Sequence, residues 1–278
     1  MIALFTSSRA IAGARGAQLL RRSGSVLAYL WSGWGAVASL FLFLALWDLG
    51  NRLYGSFILP APLEAFAALG DLIARGAAQQ QLGATLYRAA TGFAVAVGFG
   101  TLLGIVAGLS MTAAMAARPL VTVLLGVPPI AWIVLALLWF GAGDGTPIFT
   151  VAITTVPITF AAAMQGARTL DGDLRTMARA FRAPLVLRFA DVYLPHILSY
   201  VFPAWITALG MSWKVVVMAE LLSTPDGVGA GLAAARINLD TAQTLAWILA
   251  VVGTLLAAEY LLLEPIKRHL ERWHHDEP

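Results

Sequence analysis

The chain has 278 residues, 59% of them hydrophobic and 12% charged, with a formal net charge of +3 and a mean hydropathy of +0.79. Soluble domains carry about 25% charged residues, so this composition excludes an ordinary soluble protein and points to the membrane class. There is no cysteine, which excludes disulfides and thiolate metal sites.

The first 25 residues hold Arg9, Arg15, Arg21 and Arg22 and read as a cytoplasmic arm or interfacial helix. Apolar runs of about 20 residues mark membrane spans, and six follow, at about Val26–Leu46, Leu86–Leu109, Leu120–Phe140, Ile148–Gln165, Ile197–Leu222 and Thr244–Leu263. The first run is too long for a signal-peptide core and ends in no small-residue cleavage site, so it reads as retained. Residues 26–268 form one transmembrane domain, and 269–278 a cytoplasmic tail. Between the first two spans, Leu59-Pro60-Ala61-Pro62 precedes Leu63, Phe66, Leu69 and Ile73, a spacing that predicts a short amphipathic helix on the outer surface. Gly98, Gly100, Gly104 and Gly108 in the second span allow close helix packing.

Arginine and lysine set the orientation. Under six spans, the N-terminal arginines, Arg118, Arg168, Arg175, Arg179, Arg182, Arg188, Lys267, Arg268 and Arg272 fall on one side. Only Arg52, Arg75, Arg88 and Arg236 fall on the other. Both termini are therefore expected in the cytoplasm. Of the four histidines, His269, His274 and His275 lie in the tail, apart from His196, and suit a solvated end rather than a metal site.

Within the spans, three features are candidates for a pathway. Pro128-Pro129, with Trp132 one turn on, interrupts the third span, because proline removes a backbone donor. In lipid such a break is tolerated only beside neighbours or a cavity; a purely structural kink is the other reading. Lys214 is the charge deep in the fifth span, and intramembrane charges face a cavity or a partner. It attracts an anionic substrate, or it pairs structurally. Glu220 is six residues on, about 240° around the helix, and is a poor same-helix partner. Met211 and Met218 lie near the Lys214 face and either line a cavity or pack in the core. Asp226-Gly227-Val228-Gly229-Ala230-Gly231 lacks the lysine of a phosphate loop and reads as an outer turn.

The long basic stretch between spans four and five carries most of the functional information. Asp173 can cap a helix. Leu174, Met177, Ala178, Phe181 and Leu185 then recur on one face and Arg175, Arg179 and Arg182 on another, until Pro184 breaks the pattern. Such a helix lies on lipid phosphates or docks a soluble partner. The stretch resembles the EAA loop of ABC-importer permeases, with the pattern E-A-A-x3-G-x9-I-x-L-P: Ala178, Val192 and Leu194-Pro195 match in register, while Thr176 and Arg182 replace the Glu and Gly. Phe57-Ile58-Leu59-Pro60-Ala61-Pro62, Val127-Pro128-Pro129-Ile130-Ala131-Trp132, Trp139-Phe140-Gly141 and Trp213-Lys214-Val215-Val216-Val217 with Ala219-Glu220 are similar to the nitrate/sulfonate/taurine branch. The resemblance covers about residues 30–270.

What the resemblance implies is an all-α polytopic permease of the bacterial inner membrane with a cytoplasmic coupling helix that includes Met177, Ala178, Phe181, Arg182 and Ala183. It implies a homodimer, two cytoplasmic ATP-binding subunits and a periplasmic or lipid-anchored substrate-binding protein. The expected substrate is a small anion such as nitrate, a sulfonate, taurine or bicarbonate. Relatives that carry pyrimidine-like vitamin precursors leave that alternative open. The lysines Lys214 and Lys267 follow Trp213 and Ile266, so the chain has no Walker A. No catalytic residue, metal or cofactor is expected in it; ATP and Mg belong to the partner ATPase. A stand-alone channel or secondary transporter has no use for the basic cytoplasmic helix.

Overall fold

The computed structural model describes residues 34–169 (Ala36 excepted), Pro184, Leu187 and 193–258. The expected arm 1–25, the tail 269–278 and the coupling residues Met177, Ala178, Phe181, Arg182 and Ala183 lie outside that range. The chain divides into two units, up to Glu64 and from Ala65 onward.

In the first unit, helix α1 runs through 37–54. Its large side chains, among them Phe41 and Leu42, are exposed on every side, as suits a helix facing lipid or other helices rather than water. Its C-terminal end holds the following turn by side-chain bonds. Trp47 Nε1 donates to the Pro60 carbonyl at 2.8 Å, and Asn51 Nδ2 donates to the Leu59 carbonyl at 2.7 Å. Glu64 accepts from the Ala61 amide at 3.1 Å.

Helix α2, Pro62–Ala74, is the expected short helix, though the buried face differs. Leu63, Phe66 and Ile73 are exposed. Ala65 and Leu72 are buried instead, and Leu72 joins a core with Ala78, Val228, Ala235, Ala246 and Trp247.

The second unit continues with α3 (Ala77–Gly108), α4 (Met111–Gly126), α5 (Pro129–Phe140), α6 (Gly145–Arg168), α7 (Leu194–Ser223), α8 (Val228–Ile237) and α9 (Thr241–Ala258). The described residues outside helices form short turns, so the architecture is all-helical. Helices α3, α6, α7 and α9 are long and apolar enough to cross a membrane, which makes four spans, or five if α4 and α5 count as one.

The third expected span departs from a kinked rod. α4 and α5 meet at 91°. Proline disfavours the helical region for the residue before it; α4, α6 and α7 absorb this at the single prolines Pro119, Pro157 and Pro203, whereas the tandem prolines apply it to two consecutive residues. Val127 (ψ 122°) and Pro128 (ψ 141°) are both extended, so the helix breaks instead of bending. Arg118 sits inside α4 rather than in a connection. The Gly-rich outer turn is also shorter than expected, since α8 begins at Val228.

At the centre, α6 packs chiefly against α3 and α7. Gly92, Ala96, Gly100, Gly104 and Gly108 recur every fourth residue of α3 and are buried, placing one small-residue stripe on one helix face. A Cβ on Gly104 would meet the Ala163 Cβ at 2.8 Å, and one on Gly108 would meet the Ala167 Cβ at 2.6 Å. Gly98, expected in this stripe, has nothing within 4 Å of its Cβ position; Gly92 takes the interfacial place. Thr159 Oγ1 donates across the interface to the Ala96 carbonyl at 2.9 Å.

Candidate functional site

Two features of the second unit stand out: a buried polar node and an uncovered stripe of α7 that carries Lys214. The node is built from one face of α3. Gln81, Thr85 and Arg88 are four and three residues apart, so they point the same way from the helix. Gln81 Oε1 accepts from the Gly227 amide. Thr85 Oγ1 accepts from the Val228 amide at 2.9 Å and donates to Glu220 Oε2 at 2.8 Å. Glu220 Oε2 also accepts from the Gly229 amide at 3.1 Å.

Arg88 is the centre of this node, and each of its nitrogens is engaged. Nη1 donates to Glu220 Oε1 at 2.9 Å and to the Asp226 carbonyl at 2.9 Å. Nε donates to Asp144 Oδ1 at 2.8 Å. Nη2 reaches Asp144 Oδ1 at 2.6 Å and Asp226 Oδ1 at 2.5 Å. The guanidinium's fork of five donors makes such multiple bonding natural. Arg88 and Glu220 are enclosed, with side chains 4% and 0% exposed.

Glycine fits the turn around this node for steric reasons. Gly227 has φ of 98°, a region that side chains rarely adopt, and its Cβ position runs into the Glu220 carboxylate. A Cβ on Gly229 would meet the Glu220 Cβ at 2.6 Å, and one on Gly231 the Trp247 ring at 2.6 Å.

The stripe lies along α7. Pro203, Thr207, Lys214, Met218 and Leu222 are exposed, and half-buried Met211 falls in register between them. Steps of three and four put all six on one face. Among the described residues, no hydrogen bond or ion pair engages Lys214. It is separated from Glu220, which points into the node on the other side of the helix. Of the candidates read from the sequence, Met211 and Lys214 therefore share the uncovered face, and Glu220 does not.

Pro128, Pro129 and Trp132 sit at the break between α4 and α5. The Trp132 indole nitrogen is enclosed and has no hydrogen-bond partner in the described structure. Helix α5 packs against α6 and α7. Its C-terminal end is fixed by rings, with Trp139 and Phe140 at 5.5 and 5.3 Å from Phe149 of α6.

Buried threonines in α6 are satisfied locally. Thr150, Thr154 and Thr155 each donate to the carbonyl four residues back, at 2.8, 2.7 and 2.6 Å. They act as small side chains rather than as a polar site.

Sequence reasoning reached Glu220 but not its partners. The signal was Gln81, Thr85 and Arg88 on one face of an otherwise apolar span, with the rule that intramembrane charges pair. Asp144 and Asp226 carried no such signal, because acids in outer turns ordinarily meet water.

Residues 100–274 match the family described as "Binding-protein-dependent transport system inner membrane component". Relatives extend over most of the chain. A Bacillus subtilis (strain 168) protein named as an aliphatic sulfonates transport permease, SsuC, is 30% identical over 234 residues, 83% of this chain and 84% of its own length. The nitrate import permease protein NrtB of Synechococcus elongatus is 29% identical over 204 residues, 69% and 73% of the two chains. The bicarbonate transport system permease protein CmpB of the same organism is 30% identical over 250 residues, 85% and 87%. With its apolar helices and a family match over most of its length, the chain belongs to the inner-membrane permeases of binding-protein-dependent ABC importers, in the nitrate/sulfonate/taurine branch.

Proposed function

We propose that this chain forms the substrate pathway of an importer for a small anion, as one of two identical permease subunits above two cytoplasmic ATPase subunits. In this reading the chain has six spans with both termini in the cytoplasm. The coupling helix contains Met177, Ala178, Phe181, Arg182 and Ala183 and docks in the ATPase. A substrate-binding protein delivers the anion to the outer face. The partner subunits bind and hydrolyse ATP with Mg.

The observation that carries the reading is the α7 stripe. Placing a lysine at the centre of a membrane helix costs about 2.5–3.5 kcal/mol on insertion scales. Lys214 lies about 8 Å from the midpoint of α7 toward its C-terminal end, at 1.5 Å per residue, beside the exposed Thr207 and Met218. An ammonium there is better placed on a water-filled pathway between two copies than against lipid. Sulfonate, nitrate and bicarbonate, named for the relatives, are all small anions. Pro128, Pro129 and Trp132 belong to the same pathway in this reading. The break exposes backbone, and an enclosed indole donor without a partner costs about 1–3 kcal/mol until something accepts from it. Glu220 serves as an anchor behind α7 rather than as lining.

Lys214→Met keeps most of the stem and removes the charge. At an effective dielectric of about 20, losing one cation several ångströms from a bound anion costs on the order of 1–3 kcal/mol, about a 10-fold or greater loss of uptake. Uptake of nitrate, bicarbonate and an alkanesulfonate into proteoliposomes, normalised to intact complex, measures it. Undiminished uptake of a transported anion by the well-folded variant would remove Lys214 from the pathway. Uptake of an uncharged pyrimidine alone would favour the vitamin-precursor alternative.

A further inference from the structure

The three carboxylates around Arg88 are held unequally. Glu220 is fully enclosed and also accepts from Thr85 and Gly229. Asp226 belongs to a turn whose following amides are bonded to Gln81, Thr85 and Glu220, and its carbonyl accepts from Thr224 Oγ1 at 2.7 Å. Asp144 is tied to Arg88 and to α6, but not to Gln81, Thr85 or Glu220. Its carbonyl accepts from the Ile148 amide at 3.2 Å, its carboxylate makes no capping bond to α6, and among the described residues that carboxylate bonds Arg88 alone, with a side chain 58% exposed against 55% for Asp226.

Charge makes this third contact easy to break. One guanidinium faces three carboxylates, and Asp144 and Asp226 both place Oδ1 on the same Nη2. Like charges brought together repel, so releasing one acid relieves the crowding. Solvent competes for both exposed acids, Asp144 and Asp226, and weakens their attraction, so the other ties of each decide which one leaves. The acid with the fewest other ties is Asp144.

The backbone around Asp144 is suited to movement. It closes the link 141–144 between α5 and α6, where Gly141 and Gly143 have φ of 70° and 144°. Such conformations are open to glycine at little cost, and short glycine-bearing links commonly act as hinges. Among the described residues, the link is also tied to the node region by the Gly143 amide, which donates to the Ser223 carbonyl at 2.9 Å.

We propose that Arg88–Asp144 is a releasable latch for transport. Arg88 is a fixed post, held by Glu220 and Asp226, and Asp144 leaves and re-engages it as α5 moves. Arg88 is thus a positioning residue and not a substrate ligand. This rests on the chain being driven by a partner ATPase.

The absence of native cysteine allows a clean spin-label test. Ala142→Cys and Pro225→Cys sit on the two turns at exposed positions outside the latch. With the labelled permease alone in nanodiscs, adding Asp144→Ala should shift the label separation to a longer, broader distribution. An unchanged distribution overturns the latch. In the complex with its ATPase, trapping with ATP and vanadate should produce the same shift in the chain that retains Asp144. Identical distributions in the nucleotide-free and trapped states, in a complex that hydrolyses ATP, also overturn it, since a merely structural ion pair stays closed in both. A complex without ATP hydrolysis counts against the coupling reading instead, and the nanodisc comparison still decides the latch.

Discussion

Arg88 and Glu220 form a buried ion pair with the remaining hydrogen-bonding positions filled, the condition under which such a pair is tolerated at all. Removing one partner is then worse than removing both. Arg88→Ala leaves the Glu220 carboxylate enclosed without its cation and should destabilise the protein by about 3–5 kcal/mol, seen as low membrane yield and an early thermal transition in detergent. Glu220→Gln should cost less: its amide NH2 then faces the Arg88 Nη1 donor, but the amide oxygen still accepts from Thr85 and Gly229, Arg88 keeps Asp226 and Asp144, and no unpaired negative charge is buried. If Arg88→Ala and Glu220→Gln unfold alike, charge balance is not what the node supplies. Gly227→Ala tests the same place by volume. Its Cβ would collide with the Glu220 carboxylate, and overpacking of this kind costs about 1–3 kcal/mol, with added strain from the positive φ. A Gly227→Ala protein as heat-stable as the parent would mean that the turn relaxes away from α7.

At the scale of elements, two local rules shape the bundle. The first is the α3 stripe of Gly92, Ala96, Gly100, Gly104 and Gly108, which lets Val151, Thr159, Ala163 and Ala167 of α6 close onto the α3 backbone. Gly104→Val should separate α3 from α6 and cost about 1–3 kcal/mol by overpacking, while Gly98→Val, on the open side, should be close to neutral. Thermal stability of the two variants in detergent compares them directly; equal losses would contradict the packing. The second rule is the tandem proline. Pro128→Ala with Pro129→Ala lifts the restriction on the residue before each proline and returns two amide donors, so α4 and α5 should run on as one helix. Uptake should fall while insertion is retained, and unimpaired uptake would show that the right angle has no part in transport. Both rules were partly legible in the sequence. The repeat of small residues was visible, but not which glycines face inward, because Gly98 and Gly100 differ only in helical phase. The proline break was visible as a kink. The extended conformation of both Val127 and Pro128 and the 91° angle between α4 and α5 go beyond what a single proline kink contains. The node was the least legible part, since Arg88, Asp144 and Asp226 are brought together from sequence separations that no local pattern links.

For the whole molecule, a permease does work only if nucleotide-driven motion reaches the pathway. The basic stretch from Leu174 to Leu185 joins α6 to α7 in the chain, and α7 carries both the Lys214 stripe and, on its other face, the Glu220 anchor. A force applied to that stretch would therefore enter the helix whose Lys214 face is proposed to line the pathway. Phe181 offers an apolar anchor beside the arginines, and aromatic anchors commonly dominate the energy of an interface. Phe181→Ala should lose ATPase co-purification and uptake together while leaving membrane insertion intact. Arg182→Glu should do the same if the proposed coupling helix docks through its basic stripe, and its defect should then depend on salt, since charges at a solvated interface are screened within about 10 Å at 0.1 M. The purified chain alone should hydrolyse no ATP, and the assembled complex should. If both variants co-purify with the ATPase in full amount and support normal uptake, the coupling segment lies elsewhere. If the lone chain turns over ATP, the division of labour between this subunit and its partner is wrong.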